Sequence, residues 1–331
     1  MLSGIKMIRN VEINKSEHQR LQPPMFFTLL DGLTQAQGTK GEALVMDVHD
    51  ASILCDVALE ESKGEPGKMV FRSSRVTNVD FIGIKTEDGP DYVEAESFAM
   101  LPVEIIMPVV SYLAFMECGY QSTDVLEWKG SSISLENAFV KGQFEPFVSA
   151  IMQLFPNGID QLIDGFMGYL GIIPLRPNRN PSNLQELMRN EWFSYHTLDL
   201  LDQVSLGEGI YYKSSTDNDE PLHLVVSSES VQMMKEALRK SGNEIFAKIN
   251  ADEENYISGY TYVTKQDANR NRHICFLGYF PSDKPKYGMI VWLKKDEESE
   301  ELKDKDRPEL GVYAASVCKR IADFLMNNET K

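Results

Sequence analysis

A hydroxyl with an amine one helical turn away is the simplest activated nucleophile a chain can carry, because the amine takes the proton that keeps serine inert. Ser3-Gly4-Ile5-Lys6 has that spacing, but it precedes every element that would orient it. Lys240-Ser241-Gly242-Asn243 sets a positive charge, a hydroxyl and an amide side by side. A lysine followed by a glycine is also the ordinary signal for a helix end, and that is the better reading. Metal chemistry has little support. His18, His49, His196, His223 and His273 form no i, i+4 pair. Asp217-Asn218-Asp219-Glu220 lacks the glycine and the distal glutamate of a calcium loop, so it reads as a solvated turn. Cys55, Cys118, Cys275 and Cys318 lie too far apart for a metal or redox motif; three of them sit in apolar runs and read as small buried hydrophobes. No glycine-rich phosphate loop and no Gly-x-Ser-x-Gly elbow is present. No metal and no cofactor is expected.

Composition narrows the classes further. The 331 residues are 42% hydrophobic and 25% charged, enough for one large or two modest domains with proper cores. A formal net charge of -17 argues against nucleic acid, since nothing would neutralise phosphates, and against direct adsorption to anionic lipid. Met1 to Asn10 carries charge without an apolar core, so no signal peptide is read there. The most apolar segment, Met100 to Met116, is interrupted by Pro102, Glu104, Pro108 and Ser111 and falls short of a membrane span.

The elements that would position any site follow from periodicity. Residues 1–24 are polar, end in Pro23-Pro24 and read as a lead-in. Met25 to Gln37 has a helical stripe (Phe26, Leu29, Leu30, Leu33) closed by Gly38. Glu42 to Asp47 and Ser52 to Leu59 form a hairpin around His49-Asp50-Ala51. Gly64 to Pro90 is polar and irregular. Phe98 to Leu201 is helix-rich, with helices expected over Met107 to Met116, Leu135 to Leu154 and Ile159 to Leu170. Trp128, Trp192, Phe193 and Tyr195 lie in or near this region, and core packing is their default role. Pro174 to Pro181 and Ser214 to Glu220 are loops, and Ser230 to Lys240 is a helix stopped by Gly242. Three β-rich runs then follow, Gly259-Tyr260-Thr261-Tyr262-Val263, His273 to Phe280 and Lys286 to Leu293, separated by turn chemistry as in an antiparallel meander. After an acidic loop, Asp296 to Asp306, the spacing of Leu310, Ala314, Val317, Ile321 and Leu325 predicts a closing helix. Strands at both ends with helices between imply an α+β fold, one antiparallel sheet carrying an inserted helical subdomain.

This order of elements resembles the transpeptidase domain of penicillin-binding proteins (class B-like, the penicillin-recognising serine transferase fold), over about Met25 to Met326. Gly41-Glu-Ala-Leu-Val-Met-Asp47 falls on the family's opening hairpin, and Ser205-Leu-Gly-Glu-Gly209 on its Gly-x-Gly turn. The Thr-Pro-x-Gln segment usual soon after that turn is missing. The resemblance implies a five-stranded antiparallel sheet flanked by helices, built from about 25–63 and 222–331. It also implies an all-helical lobe from about 96–201 and a site where sheet and lobe meet.

The family's chemistry is acyl transfer through a serine ester, using Ser-x-x-Lys, Ser-x-Asn and Lys-Thr-Gly. All three slots are altered here. Glu104-Ile105-Ile106-Met107-Pro108 puts Glu104 in the serine slot and Met107 in the lysine slot. Gly142-Gln143-Phe144, after Leu135-Glu-Asn-Ala138, replaces Ser-x-Asn. Tyr260-Thr261-Tyr262 keeps only the threonine, and Tyr262 replaces the glycine that lets a substrate strand approach. A carboxylate beside a thioether has neither an activated hydroxyl nor a base.

The first expectation is therefore a catalytically inactive transpeptidase-like domain, binding or scaffolding within bacterial cell-wall synthesis or division machinery. A peptidoglycan stem peptide or a cell-wall or division protein would be its partner. An active acyltransferase or D,D-carboxypeptidase with Glu104, Thr261 or Tyr260 in unorthodox roles is the first alternative, and an unrelated α+β binding module the second. The resemblance implies a periplasmic or extracytoplasmic location. Any membrane contact would come through a segment that this chain, read as a piece of a longer protein, lacks.

Overall fold

The apolar runs at the two ends of the chain pair with each other. The computed structural model describes residues 15–61, 69–72, 84–86, 89–91, 100–172, 181–212, 223–249, 256–264, 271–296 and 307–329. In it, β1 (Lys40–Asp47) lies between β2 (Ile53–Glu61) and β14 (Tyr287–Asp296). The sheet runs β12 (Ser258–Val263), β13 (Asn271–Phe280), β14, β1, β2, the five expected strands, and a short sixth, β3 (Met69–Arg72), extends its far edge. All pairings are antiparallel.

Side chains alternate across a strand, so each strand feeds two cores. Leu44, Met46, Tyr260, Cys275, Leu277, Tyr279, Ile290 and Trp292 pack on one face, toward the inserted segment. Ala43, Val45, Ile274, Phe276, Phe280, Met289, Val291 and Leu293 pack on the other, under α1 (Lys15–Ala36) and α8 (Arg307–Glu329). Burial on both faces explains why β13 and β14 read as nearly continuous apolar runs. Cys55, Cys275 and Cys318 are buried and Cys118 is exposed, all as free thiols.

The inserted segment begins with β6 (Met100–Pro102), a 3-10 turn at Val103–Ile105 and α2 (Met107–Glu117), which is buried on nearly every side. It continues through a hairpin of β7 (Val125–Trp128) and β8 (Ser131–Ser134), α3 (Leu135–Val140), α4 (Glu145–Ala150) and a π-helical stretch at Gln161–Met167. After α5 (Leu184–Met188), β9 (Glu191–Phe193) pairs back to β6, and α6 (Ser194–Leu206) leads to the hairpin of β10 (Ile210–Tyr212) and β11 (His223–Val226). Then comes α7 (Ser228–Phe246), whose N-terminal Ser227 donates to the Glu117 carboxylate at the end of α2 (2.7 Å). A small ladder, β4 (Ile84–Thr86) with β5 (Gly89–Asp91), precedes this segment.

Four expectations need correction. The first helix starts at Lys15, not Met25, and passes through Pro23-Pro24. Its buried stripe is Leu21, Met25, Leu29, Leu33 and Ala36, and this continuous apolar seam outweighs the amide hydrogens lost at the two prolines. The helix expected over Leu135 to Leu154 breaks at Gly142, whose φ of +66° is a left-handed conformation that glycine adopts without strain. The β7–β8 hairpin went unread, although Lys129-Gly130, both at positive φ (50° and 77°), forms its two-residue turn. The helix through Lys240 does not stop at Gly242 but continues to Phe246, because the bare Gly242 lets α7 touch β12.

A Cβ at Gly242 would lie 2.4 Å from the carbonyl oxygen of Ile257, a backbone atom that cannot swing away. Helix propensity alone would have Gly242→Ala stabilise the protein by roughly 1 kcal/mol. The contact reverses the sign, and we expect a loss of about 1–3 kcal/mol in equilibrium urea unfolding.

Candidate functional site

The three altered slots converge. The 3-10 turn carrying Glu104, the start of α2 with Met107, the α3–α4 corner with Gly142 and Phe144, and the outer strand β12 meet where the sheet faces the inserted lobe. Strand alternation sends Tyr260 and Tyr262 toward that lobe and Thr261 the opposite way. Thr261 is seated against α8, where a Cβ on Gly311 would come within 2.8 Å of its Oγ1. It therefore does not share a face with the other slots.

Tyr260 has no exposed surface, and its hydroxyl donates to the carbonyl oxygen of Ile105 at 2.7 Å, joining the third slot to the first. Its ring lies 5.5 Å from Phe139 and 5.7 Å from Phe144. Phe144 stacks on Tyr262 at 5.6 Å with 15° between planes. Phe139 continues the cluster to Tyr112 (5.6 Å) and Phe147 (6.3 Å). The turn at Gly142 and the proline in the first turn of α4 fix the corner from which Phe144 points inward. Six aromatic side chains thus pack where the family resemblance puts a cleft.

The electrostatics suit packing rather than proton transfer. Burial holds the Tyr260 phenol far above its usual range, with Cys275 and Tyr262 adding to the effect. Burial likewise raises the Cys275 thiol, and half-buried Glu104 raises it further. Met107 is fully buried and has no proton to exchange. Gly142 is exposed and offers no side chain. A neutral phenol bonded to a backbone carbonyl, a thioether and a carboxylate make no nucleophile–base pair.

The other sequence candidates are scattered. Ser241 is buried within α7 and Lys240 bonds Glu136 at 2.7 Å, so that motif is part of a helix. His49 and His223 are exposed, while His273 Nδ1 accepts from Trp292 Nε1 at 2.8 Å. Trp128 is half-buried. Ser3 to Lys6, Asp217 to Glu220 and most of the acidic loop lie outside the described residues, as do the side chains of His18, His196, Trp192, Phe193 and Tyr195. Among the described residues no group of three or more His, Cys, Asp or Glu could hold a metal ion. One buried polar pair escaped the sequence reading: Ser194 Oγ donates to Glu42 Oε1 at 2.7 Å, fastening α6 to β1. A glutamate in register with inward-facing Leu44 and Met46 was its available signal.

No protein-family model matches the chain, and no curated protein matches it in sequence. Solved structures do match its shape. A peptidoglycan synthetase from Bifidobacterium adolescentis aligns at a TM-score of 0.61 and 13% identity over 94% of this chain, which spans 60% of that one. The TP domain of penicillin-binding protein 3 from Burkholderia pseudomallei aligns at 0.60 and 12% identity, covering 93% and 95% of the two chains. The transpeptidase domain of the FtsI4 D,D-transpeptidase from Legionella pneumophila aligns at 0.55 and 12%, covering 94% and 98%. The chain has the fold of penicillin-binding-protein transpeptidase domains, an α+β sheet with an inserted helical lobe.

A phenol whose pKa is higher in the folded than in the unfolded state favours folding while it stays neutral. That contribution is intact below the ordinary tyrosine pKa of about 10 and is lost as pH rises through it toward the folded value. Spectrophotometric titration should show Tyr260 and Tyr112 ionising only as the protein unfolds. Tyr260→Phe should cost about 1–3 kcal/mol at neutral pH by orphaning the Ile105 carbonyl.

Proposed function

We propose that this chain is a non-catalytic transpeptidase-fold domain that binds or scaffolds within bacterial peptidoglycan synthesis or division machinery. It would act at the periplasmic or extracytoplasmic face of the cytoplasmic membrane. Among the described residues no helix is long and apolar enough to cross a membrane. The observation that carries the proposal is the Tyr260 hydroxyl bonded to the Ile105 carbonyl beneath stacked Phe144 and Tyr262. Acyl transfer needs space for a peptide, a hydroxyl aimed at its carbonyl and a base beside that hydroxyl. Here the space is taken by rings and the hydroxyl is consumed by backbone. A stem peptide or a protein of the same machinery would be the partner, met on a surface of the fold rather than in a catalytic cleft.

The alternative is an acyltransferase using Glu104, Thr261 or Tyr260: Thr261 would have to leave α8, Tyr260 would have to give up its carbonyl, and Glu104 would find the buried thioether of Met107 where a base is needed. The fold likeness argues against an unrelated binding module. Intact mass after incubation with a broad β-lactam, beside an active transpeptidase, separates the two remaining readings. No added mass is expected; a stoichiometric acyl adduct would overturn the non-catalytic reading, and its position would identify the hydroxyl responsible.

A further inference from the structure

Two crevices flank α7, of about 460 and 290 Å³, and no slot residue lines either. The smaller lies between α7 and the turn joining β13 to β14, and is walled by Lys235, Glu236, Arg239, Tyr279, Ser282 and Asp283. We propose that it binds a free α-amino acid, the carboxylate held by Lys235, Arg239 and the Tyr279 hydroxyl and the ammonium by Asp283.

Tyr279 provides the strongest reason. It has no exposed surface, and its hydroxyl makes no well-formed hydrogen bond among the described residues. Ser258, opposite it on β12, lies close enough to offset part of the rise that burial causes in its pKa, but donates to Ser282 at 2.8 Å and gives the phenol no bond of good geometry. A buried hydroxyl left this way is destabilising unless something else bonds it. The charged groups around it are only half used. Arg239 spends Nε and Nη2 on Glu236 (2.9 and 2.7 Å), leaving Nη1. Lys235 gives one hydrogen to the Ser205 carbonyl at 2.8 Å, leaving two. Glu236 is further shared with Lys240 at 3.7 Å. Burial lowers the pKa of Lys235 and Glu236 raises that of Arg239; Asp283 is near enough to act on both in the raising direction, yet forms no ion pair with either among the described residues.

Spare donors from two cations, a phenol without a well-formed bond and a carboxylate in ion-pair contact with neither cation match a ligand with both charges on neighbouring atoms. A lone anion would leave Asp283 opposed to it, and a lone amine would meet two cations. The volume lies at the small end for ligand sites, suiting an amino acid rather than a nucleotide or a sugar chain.

The test is isothermal titration of the full chain with glycine, both enantiomers of alanine, glutamate and lysine. Acetate and methylamine serve as half-ligands. At least one amino acid should bind, with neither half-ligand competing. Arg239→Ala and Asp283→Ala, both at exposed positions, should each weaken binding about tenfold. Tyr279→Phe should weaken it several-fold, and Glu229→Ala, in the other crevice, should leave it unchanged. The proposal is overturned if no amino acid gives heat or a thermal shift. It is equally overturned if the Arg239 and Asp283 variants bind normally, or if acetate binds as tightly as the amino acids.

Discussion

The hydrogen bond from Tyr260 to Ile105 ties together parts of the chain 155 residues apart. It fixes the outer strand of the sheet against the turn that opens α2, and α2 is the buried axis of the inserted lobe. A neutral hydrogen bond nets only about 1 kcal/mol, but leaving that carbonyl unpaired beneath a layer of rings would cost about 1–3 kcal/mol. The surrounding aromatic pairs each add roughly 0.5–1.5 kcal/mol beyond simple burial. Together these terms make a closed junction the stable arrangement, and Tyr260, Phe144 and Tyr262 read as parts of one packing solution.

The same constraint connects fold and chemistry. Strand alternation leaves β12 no choice about which side chains face the lobe, and the two it presents are tyrosines. Tyr262 fills the space beside the outer strand, and Phe144 stacks on it from the helical corner. The rest of the sheet keeps both faces buried, so the scaffold has no need of a polar site to remain folded.

Much of this was legible in the sequence, for identifiable reasons. The three C-terminal strands and α8 follow from strong periodicity. That Phe144 meets Tyr260 and Tyr262 through their rings depends on a contact between segments more than a hundred residues apart, which no local signal carries. Where the reading failed, tertiary contacts had overridden local signals. Pro23-Pro24 looked like a boundary, yet the buried seam from Leu21 carries α1 through them. Gly242 looked like a stop, yet it is a point of close approach to β12. Gly142 breaks the helix expected over Leu135 to Leu154 and sets the corner from which Phe144 points inward. Glu42 and Ser194 lie 152 residues apart, so only folding shows them as a pair.

A double-mutant cycle on Phe144 and Tyr262 bears most directly on the central claim, that interlocked rings close the junction. Tyr262 is partly exposed and Phe144 stacks on it, so Phe144→Leu and Tyr262→Leu should each leave a folded protein. The account predicts a coupling of about 0.5–1.5 kcal/mol between them in urea unfolding. Additivity within about 0.3 kcal/mol would mean the rings do not lean on each other, and the junction would then be open to a ligand.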